Sequence, residues 1–329
     1  MKKRRGFGYA KYGYIFSIPF VLIFLIFSLY PTIFTALLGF TDSKGLGNTN
    51  FHFLENPFQN FQTILNNKSF QFSLGNTVTI WLMNFVPQIL LALLLTEWFT
   101  NTTMKVRGQG LFKVAYYLPN IITAASIAIL FNALFSYPMG PVNDAFKLLG
   151  ISEQPINFLV SKSTSRGVVA FIQFWMWYGY TMIILISGVL GISPEIFEAA
   201  SIDGANRSQV FFRITIPNIR TILLYMLITS MIGGLQMFDI PRLFHNTPGG
   251  PDNATLTTSL FIYNQAFSGS YMYNRASAAS MIMFVIIAIA SAFVFFIMRD
   301  KEEAAAAKQE RQLLKKDRLE KRALRRQSA

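Results

Sequence analysis

Six long apolar stretches constrain this chain more than any other feature of its sequence. Charged residues make up only 14% of it, whereas soluble proteins carry about 25%. A membrane-spanning helix needs about 20 mostly apolar residues. The stretches that meet this length are Tyr14–Phe40, Leu74–Trp98, Phe112–Phe135, Gly167–Leu190, Pro217–Ile240 and Ala276–Met298. We therefore predict an all-α membrane protein with six transmembrane helices.

The distribution of positive charge predicts the orientation of these helices. Six spans place both termini on one side of the membrane. If that side is the cytoplasm, the inner segments hold 22 of the 29 Lys and Arg residues and the outer segments hold seven. This bias follows the positive-inside rule, so we expect both termini to be cytoplasmic. The net charge of +13 then reflects membrane topology, and we expect no nucleic-acid partner.

The same reading divides the chain into three segments. Residues 1–13 form a basic cytoplasmic N-terminal segment, and residues 14–298 form the six-helix transmembrane domain. Residues 299–329 form a charged cytoplasmic tail that is rich in Ala, Glu, Lys, Leu and Arg and lacks Gly and Pro. This composition favours a polar helix, which is either solvated or in contact with the membrane surface or a partner.

Several kinds of chemistry are excluded by the residues that the sequence lacks. There is no Cys, and the two histidines, His52 and His245, are far apart, so we expect no metal site. The nucleotide-binding pattern G-x-x-x-x-G-K-[ST] is absent, as are the catalytic patterns G-x-S-x-G and H-E-x-x-H. Glu97 and Asp239 lie near span ends, which argues against an ion-coupled transporter with a buried ionisable residue. We predict that the chain is no enzyme and that any energy for transport enters from a partner.

The inner loop of residues 191–216 is the most informative segment outside the spans. Ser193 suits an N-cap, Pro194 suits the first helical position, and Gly204 suits a left-handed helix end. A second short helix is predicted from about Arg207 to Arg213, before Pro217 opens the fifth span. On physical grounds alone, this helix pair is either a docking element for another protein or an amphipathic loop on the membrane surface.

This loop resembles the coupling loop of permeases from binding-protein-dependent ABC importers. That family carries E-A-A, then Gly after three residues, then I-x-L-P after nine more. The matching residues here are Glu198, Ala199, Ala200, Gly204, Ile214, Ile216 and Pro217, with Ile216 in place of Leu. The resemblance extends over nearly the whole chain, which looks like the first permease of the maltose and glycerol-phosphate type systems.

The resemblance implies a type I importer permease fold and a set of partners. These are a second permease subunit, two ATPase subunits that carry ATP and Mg²⁺, and an extracytoplasmic solute-binding protein, in the plasma (inner) membrane of a prokaryote. No cofactor is expected in this chain itself. The residues expected to couple it to the ATPase are Glu198, Ala199, Ala200, Asp203 and Gly204.

The fourth and fifth spans hold the candidate solute pathway. Gln173, Trp177 and Tyr180 lie about midway along span four, where aromatic and polar groups need partners or water. By counting from the coupling motif, the resemblance places these residues at sugar-contacting positions of the maltose permease. The same holds for Ser230, Gly233, Gly234 and Met237 of span five, and Gln236 lies at the same depth. The glycines alternatively serve close helix packing.

We therefore predict a permease subunit of an ATP-driven sugar importer, with an oligosaccharide as the expected cargo. One alternative is an importer permease for glycerol phosphate or another polar solute, whose site should offer cationic side chains. An alternative from another class is an ion-coupled secondary transporter, whose uptake would depend on ion gradients instead of ATP.

Overall fold

The computed structural model of the protein describes residues 10–47, 50–101, 107–245, 249–269 and 271–298. The predicted C-terminal tail, residues 299–329, lies outside the described residues, as does most of the predicted N-terminal segment 1–13. The described residues are mainly helical, and an isolated antiparallel bridge pairs Thr41 with Phe53.

The helices follow one another along the chain with connections of very different length, the longest of them between Leu38 and Gln59. Their bounds are α1 (Ala10–Phe24), α2 (Tyr30–Leu38), α3 (Gln59–Leu65), α4 (Lys68–Thr100), α5 (Gln109–Ile121), α6 (Ala124–Leu134), α7 (Pro141–Leu148), α8 (Lys162–Leu190), α9 (Pro194–Ile202), α10 (Arg207–Val210), α11 (Ile216–Asn218), α12 (Arg220–Leu235), α13 (Asp239–Leu243), α14 (Thr258–Phe267) and α15 (Tyr273–Met298). Leu25–Leu29 and Phe211–Thr215 are π-helical turns, and Pro251–Asn253 is a 3₁₀ turn.

Five of the six predicted spans coincide with helices that are long and apolar enough to cross a membrane. Their bounds are Tyr12–Leu38, Lys68–Thr100, Lys162–Leu190, Arg220–Leu243 and Tyr273–Met298. The side chains of the first span are exposed from Tyr12 to Phe34, and none of the span is buried. So much exposed apolar surface favours lipid or another membrane subunit as its surroundings.

The third predicted span, Phe112–Phe135, is not one straight helix. Helices α5 and α6 meet there at an angle of 95°. Pro119 in the last turn of α5 has no backbone N–H to donate, and Ile122 then adopts an extended conformation with ψ of 138°. Thr123 begins α6 by accepting a hydrogen bond from the backbone N–H of Ser126 at 3.3 Å. In place of the third predicted span, the structure therefore has a bent pair of helices.

One compact unit of the fold consists of the described residues up to Asn76 together with those of Leu256–Ile286. Asn60 of α3 holds its described part together from a buried position. Its Nδ2 atom donates hydrogen bonds to the carbonyl oxygens of Gly39, at 2.9 Å, and Thr41, at 2.8 Å. Its Oδ1 atom accepts one from Asn274 of α15 at 3.2 Å. One amide group thus joins three segments that are distant in sequence.

The second compact unit consists of the described residues of Thr77–Thr255 together with those from Ile287 onwards. Within its described part, α5 and α8 approach each other closely at Gly179. A Cβ atom on Gly179 would overlap the carbonyl group of Tyr116 and would lie 3.0 Å from the Cα of Tyr117. Only Gly permits this approach, because each of these neighbours is backbone and cannot rotate away.

Two apolar clusters stabilise the second unit. One packs α6, α8 and α13 together through buried residues that include Ile127, Phe131, Ile172, Ile240 and Phe244. The other packs α4, α8 and α12 together through Ala92, Met182, Leu185, Ile219 and Met226, among others.

A buried histidine fastens the segment after α13 to the first turn of α8. The Nε2 atom of His245 lies 2.7 Å from the Oγ of Ser165. Nearby, Arg166 Nε donates a hydrogen bond to the carbonyl oxygen of Ala254 at 2.9 Å. Burial lowers the pKa of His245 to about 4, so this histidine is neutral at neutral pH.

Candidate transport site and coupling loop

A cavity of about 320 Å³ lies between α4, α8, α12 and the start of α13, within the second compact unit. We call it the α8 cavity. It brings together all eight residues that the sequence predicts for the solute pathway. They are Gln173, Trp177, Tyr180, Ser230, Gly233, Gly234, Gln236 and Met237. Their role in transport stays a prediction.

Aromatic side chains form one part of the cavity wall. Trp177 and Tyr180 lie about one turn apart on α8, with their ring centroids separated by 5.8 Å and their planes perpendicular. Trp177 is 42% exposed, so part of its ring is open to the cavity. Trp81 of α4 also lines the cavity.

The polar groups of the cavity fall into two sets. Some are held by other protein groups: Gln88 Nε2 donates to Thr181 Oγ1 at 2.7 Å, and Trp81 Nε1 donates to Ser230 Oγ at 3.3 Å. By contrast, the side chains of Gln173 and Gln236 make no hydrogen bond within the part of the chain that the structure describes. Amides in this state can donate to and accept from a bound ligand.

The two neighbouring glycines of α12 have different surroundings. A Cβ atom on Gly234 would lie 2.7 Å from Trp81 Cγ, whereas one on Gly233 would meet nothing within 4 Å. Gly234 therefore permits close packing of the Trp81 ring, as the packing alternative predicted. Gly233 borders open space in the cavity.

The charge of the cavity wall is low. Among the described residues that line it, Asp239 is the one carboxylate, and none is Lys, Arg or His. Asp239 is the first residue of α13 and is exposed. A wall of this kind can bind hydroxyl and C–H groups, but it offers no cation to neutralise an anionic ligand.

The predicted coupling loop, residues 191–216, folds as the expected pair of short helices, α9 and α10. Pro194 is the first residue of α9, and Gly204 has a φ of +74°, which ends the helix in the left-handed conformation. Ser193 occupies the N-cap position, but its side chain makes no capping hydrogen bond. Ser193 is therefore at the predicted N-cap position, but the prediction that its side chain caps the helix was wrong.

The predicted coupling residues lie mostly at the surface of this loop. Glu198, Ala199, Asp203 and Gly204 are exposed, whereas Ala200 is buried. The loop is also attached to the helices behind it. Ile192 and Phe197 pack against the cluster of α4, α8 and α12. The surface of α9 is thus open to another protein while its back is fixed.

An ion pair provides a second attachment of the loop. The guanidinium group of Arg207, the first residue of α10, donates from Nη2 to Glu97 Oε2 at 2.6 Å and from Nε to Glu97 Oε1. These hydrogen bonds to Glu97 raise the pKa of Arg207. The pair borders a cavity of about 510 Å³ that is also lined by Phe197 and Glu198.

Comparison with known proteins decides what this arrangement is. A family model described as "Binding-protein-dependent transport system inner membrane component" matches residues 64–301. The chain belongs to this family. The resemblance inferred from the loop is therefore confirmed, as is the all-α permease fold.

Named relatives of this permease match over most of its length. The lactose transport system permease protein LacF of Rhizobium radiobacter is 31% identical over 290 residues, which cover 88% of this chain and 95% of that protein. The multiple sugar-binding transport system permease protein MsmF of Streptococcus mutans is 30% identical over 283 residues, with 85% and 92% coverage.

A solved structure supports the same family assignment. It is a chain from a bacterial alginate ABC transporter in complex with an alginate pentasaccharide-bound periplasmic protein. It superposes on this permease with a TM-score of 0.70 at 25% identity and covers 87% of this chain and 93% of that one.

Sequence reasoning missed the contribution of α4 to the cavity. Trp81, Asn84 and Gln88 of this helix line the cavity, and Asn84 and Gln88 are buried. Polar side chains inside a predicted span are costly in lipid. Those of α4 were a signal that could have placed this span beside spans four and five.

Proposed function

We propose that this permease forms half of the translocation pathway of an ATP-driven importer for neutral sugars, with an oligosaccharide as cargo. The observation that carries the proposal is the α8 cavity. It combines open aromatic rings with uncommitted amides and, among its described lining residues, lacks any cationic side chain. Aromatic faces can stack on the C–H surfaces of a sugar, and amides can bond its hydroxyl groups.

The names of several relatives favour a sugar as the cargo. LacF and MsmF are named for lactose and multiple-sugar transport, and a further relative, AraP of Bacillus subtilis, is named for arabinooligosaccharides. The glycerol-phosphate alternative is disfavoured, because a phosphate would need cationic partners. Among the described residues that line the cavity there are none.

The proposed assembly places energy conversion outside this chain. A second permease completes the pathway, two ATPase subunits bind ATP and Mg²⁺, and an extracytoplasmic binding protein delivers the sugar in the plasma membrane of a prokaryote. The exposed residues Glu198, Ala199, Asp203 and Gly204 would meet an ATPase subunit, with Ala200 packed behind them. The chain itself would perform no catalysis.

Reconstitution of the complete transporter tests the proposal. Proteoliposomes should accumulate sugar only with ATP and the binding protein, and an ion gradient should not replace ATP. Trp177→Ala and Gln173→Ala should each lose sugar uptake and sugar-stimulated ATPase activity while the complex assembles normally. Trp98→Ala serves as the control, because Trp98 is exposed near the end of α4 and does not line the cavity. Unchanged uptake in both cavity variants would refute the site.

A further inference from the structure

The Glu97–Arg207 ion pair joins two parts of the permease that the chain does not connect directly. Glu97 lies in the last turn of α4, and Arg207 begins α10, 110 residues later. The guanidinium group engages both carboxylate oxygens. Two parallel bonds between planar groups fix orientation as well as distance.

The backbone around Arg207 is itself held in place. The Oδ1 atom of Asn206 accepts a hydrogen bond from the Gln209 backbone N–H at 2.9 Å, and Gln209 Oε1 accepts one from the Asn206 N–H at 2.8 Å. This reciprocal capping box sets the start of α10. Arg207 is therefore presented to Glu97 from a fixed turn.

The backbone does not connect the coupling loop directly to α4. The coupling loop follows α8 directly and leads through α11 into α12, so a movement of the loop reaches those two cavity walls along the backbone. Helix α4 instead continues towards α5. Its links to the loop include a shared apolar cluster, against which Ile192 and Phe197 pack, and the Glu97–Arg207 pair.

Helix α4 then leads from the ion pair to the cavity. Gln88 lies nine residues before Glu97, which is roughly 14 Å along a helix. It bonds Thr181 of α8, and Trp81 of the same helix bonds Ser230 of α12. A displacement of the Glu97 end of α4 would therefore act on contacts that shape two sides of the cavity.

We infer that the Glu97–Arg207 pair is a positioning element that makes α4 move with the coupling loop, so that ATP-driven motion of the loop reshapes the whole cavity. The inference rests on the proposed function of the loop. It assigns to Glu97 and Arg207 a role in the efficiency of coupling, without contact to the sugar or to ATP.

The test measures sugar transported per ATP hydrolysed, in proteoliposomes of the complete transporter. Glu97→Gln and Arg207→Gln should each lower this ratio by about fivefold, the lower end of typical coupling between sites. The exchange variant, Glu97→Arg with Arg207→Glu, should restore most of the ratio. Arg213→Gln is the matched control, because Arg213 is an exposed arginine of the same loop.

Each outcome decides the inference. Ratios that stay unchanged in both single variants overturn it, as does an exchange variant no better than the single ones. An equal loss of transport per ATP in Arg213→Gln would mean that the positive charge of the loop matters, and not the specific pair. That result would also overturn the inference. If the single variants fail to assemble, the pair serves to fold the loop, and the inference is overturned whatever the exchange variant does. Failure of the proposed function is distinguishable, because wild-type uptake would then not depend on ATP.

Discussion

Replacing either of the two adjacent glycines of α12 with alanine should have opposite effects on stability. Ala is favoured over Gly inside a helix by about 1 kcal/mol, so Gly233→Ala, whose Cβ meets nothing within 4 Å, should be neutral or stabilising. In Gly234→Ala the new methyl group would lie 2.7 Å from Trp81 Cγ. That atom is next to the Trp81 Cβ, so the ring cannot avoid the clash by a small rotation.

The size of the difference follows from the cost of overpacking. Inserting a methyl group into a filled site typically costs about 1–3 kcal/mol, and both variants gain the same helix propensity. Gly234→Ala should therefore be less stable than Gly233→Ala by about 1–3 kcal/mol. Displacing the indole would also break its hydrogen bond to Ser230, which is 3.3 Å long in the native protein.

Unfolding of the purified transporter, followed by heat or denaturant, measures the difference. Tryptophan fluorescence should report a changed Trp81 environment in Gly234→Ala and not in Gly233→Ala. Combining Gly234→Ala with Trp81→Leu should recover part of the lost stability, because the smaller side chain removes the clash. Equal stability of the two alanine variants would refute the close packing of Gly234 on Trp81.

Two further predictions concern other contacts of the second compact unit. Because burial lowers the pKa of His245 to about 4 from an ordinary value near 6.5, the unfolded chain binds its proton more readily. The contribution of neutral His245 to the free energy of unfolding is fully present above pH 6.5. It should be lost progressively as the pH falls from 6.5 towards 4. Melting temperatures should show a flatter dependence in His245→Gln, and an equally steep one would contradict the reasoning. Gly179→Ala should cost about 3 kcal/mol, since its new methyl group meets fixed backbone of α5. Gly167→Ala, in an open part of α8, is its control, and equal yields of folded protein from both variants would argue against the close approach.

The spans and the coupling loop were predictable because strong local constraints act on them. A helix that crosses lipid must form all its backbone hydrogen bonds internally and carry apolar side chains. This requirement can be recognised within a single window of about 20 residues. The loop was predictable from Pro194, which can begin a helix, and Gly204, which can end one with positive φ. In such places the residue type determines the backbone conformation.

Contacts between distant residues were not predictable in this way. Pro119 is compatible with a kinked helix, and nothing local indicates that α6 turns by 95°. The pairing of Glu97 with Arg207 depends on how α4 and the loop pack, and the sequence assigned Glu97 only to a span end. The two glycines of α12 look equivalent in sequence, yet only Gly234 meets Trp81.

The modest strength of an exposed ion pair favours a geometric role for Glu97 and Arg207. Arg207 is 45% and Glu97 22% exposed, and pairs near the surface contribute about 1 kcal/mol or less. Apolar packing of Phe197 and its neighbours can hold the loop, but such packing has no preferred direction. The two hydrogen bonds between the guanidinium group of Arg207 and the carboxylate of Glu97 do fix a direction. Glu97→Gln should therefore change the melting temperature very little while lowering transport per ATP. A large loss of stability would instead mean that the pair serves to fold the loop, and its proposed part in coupling would fail.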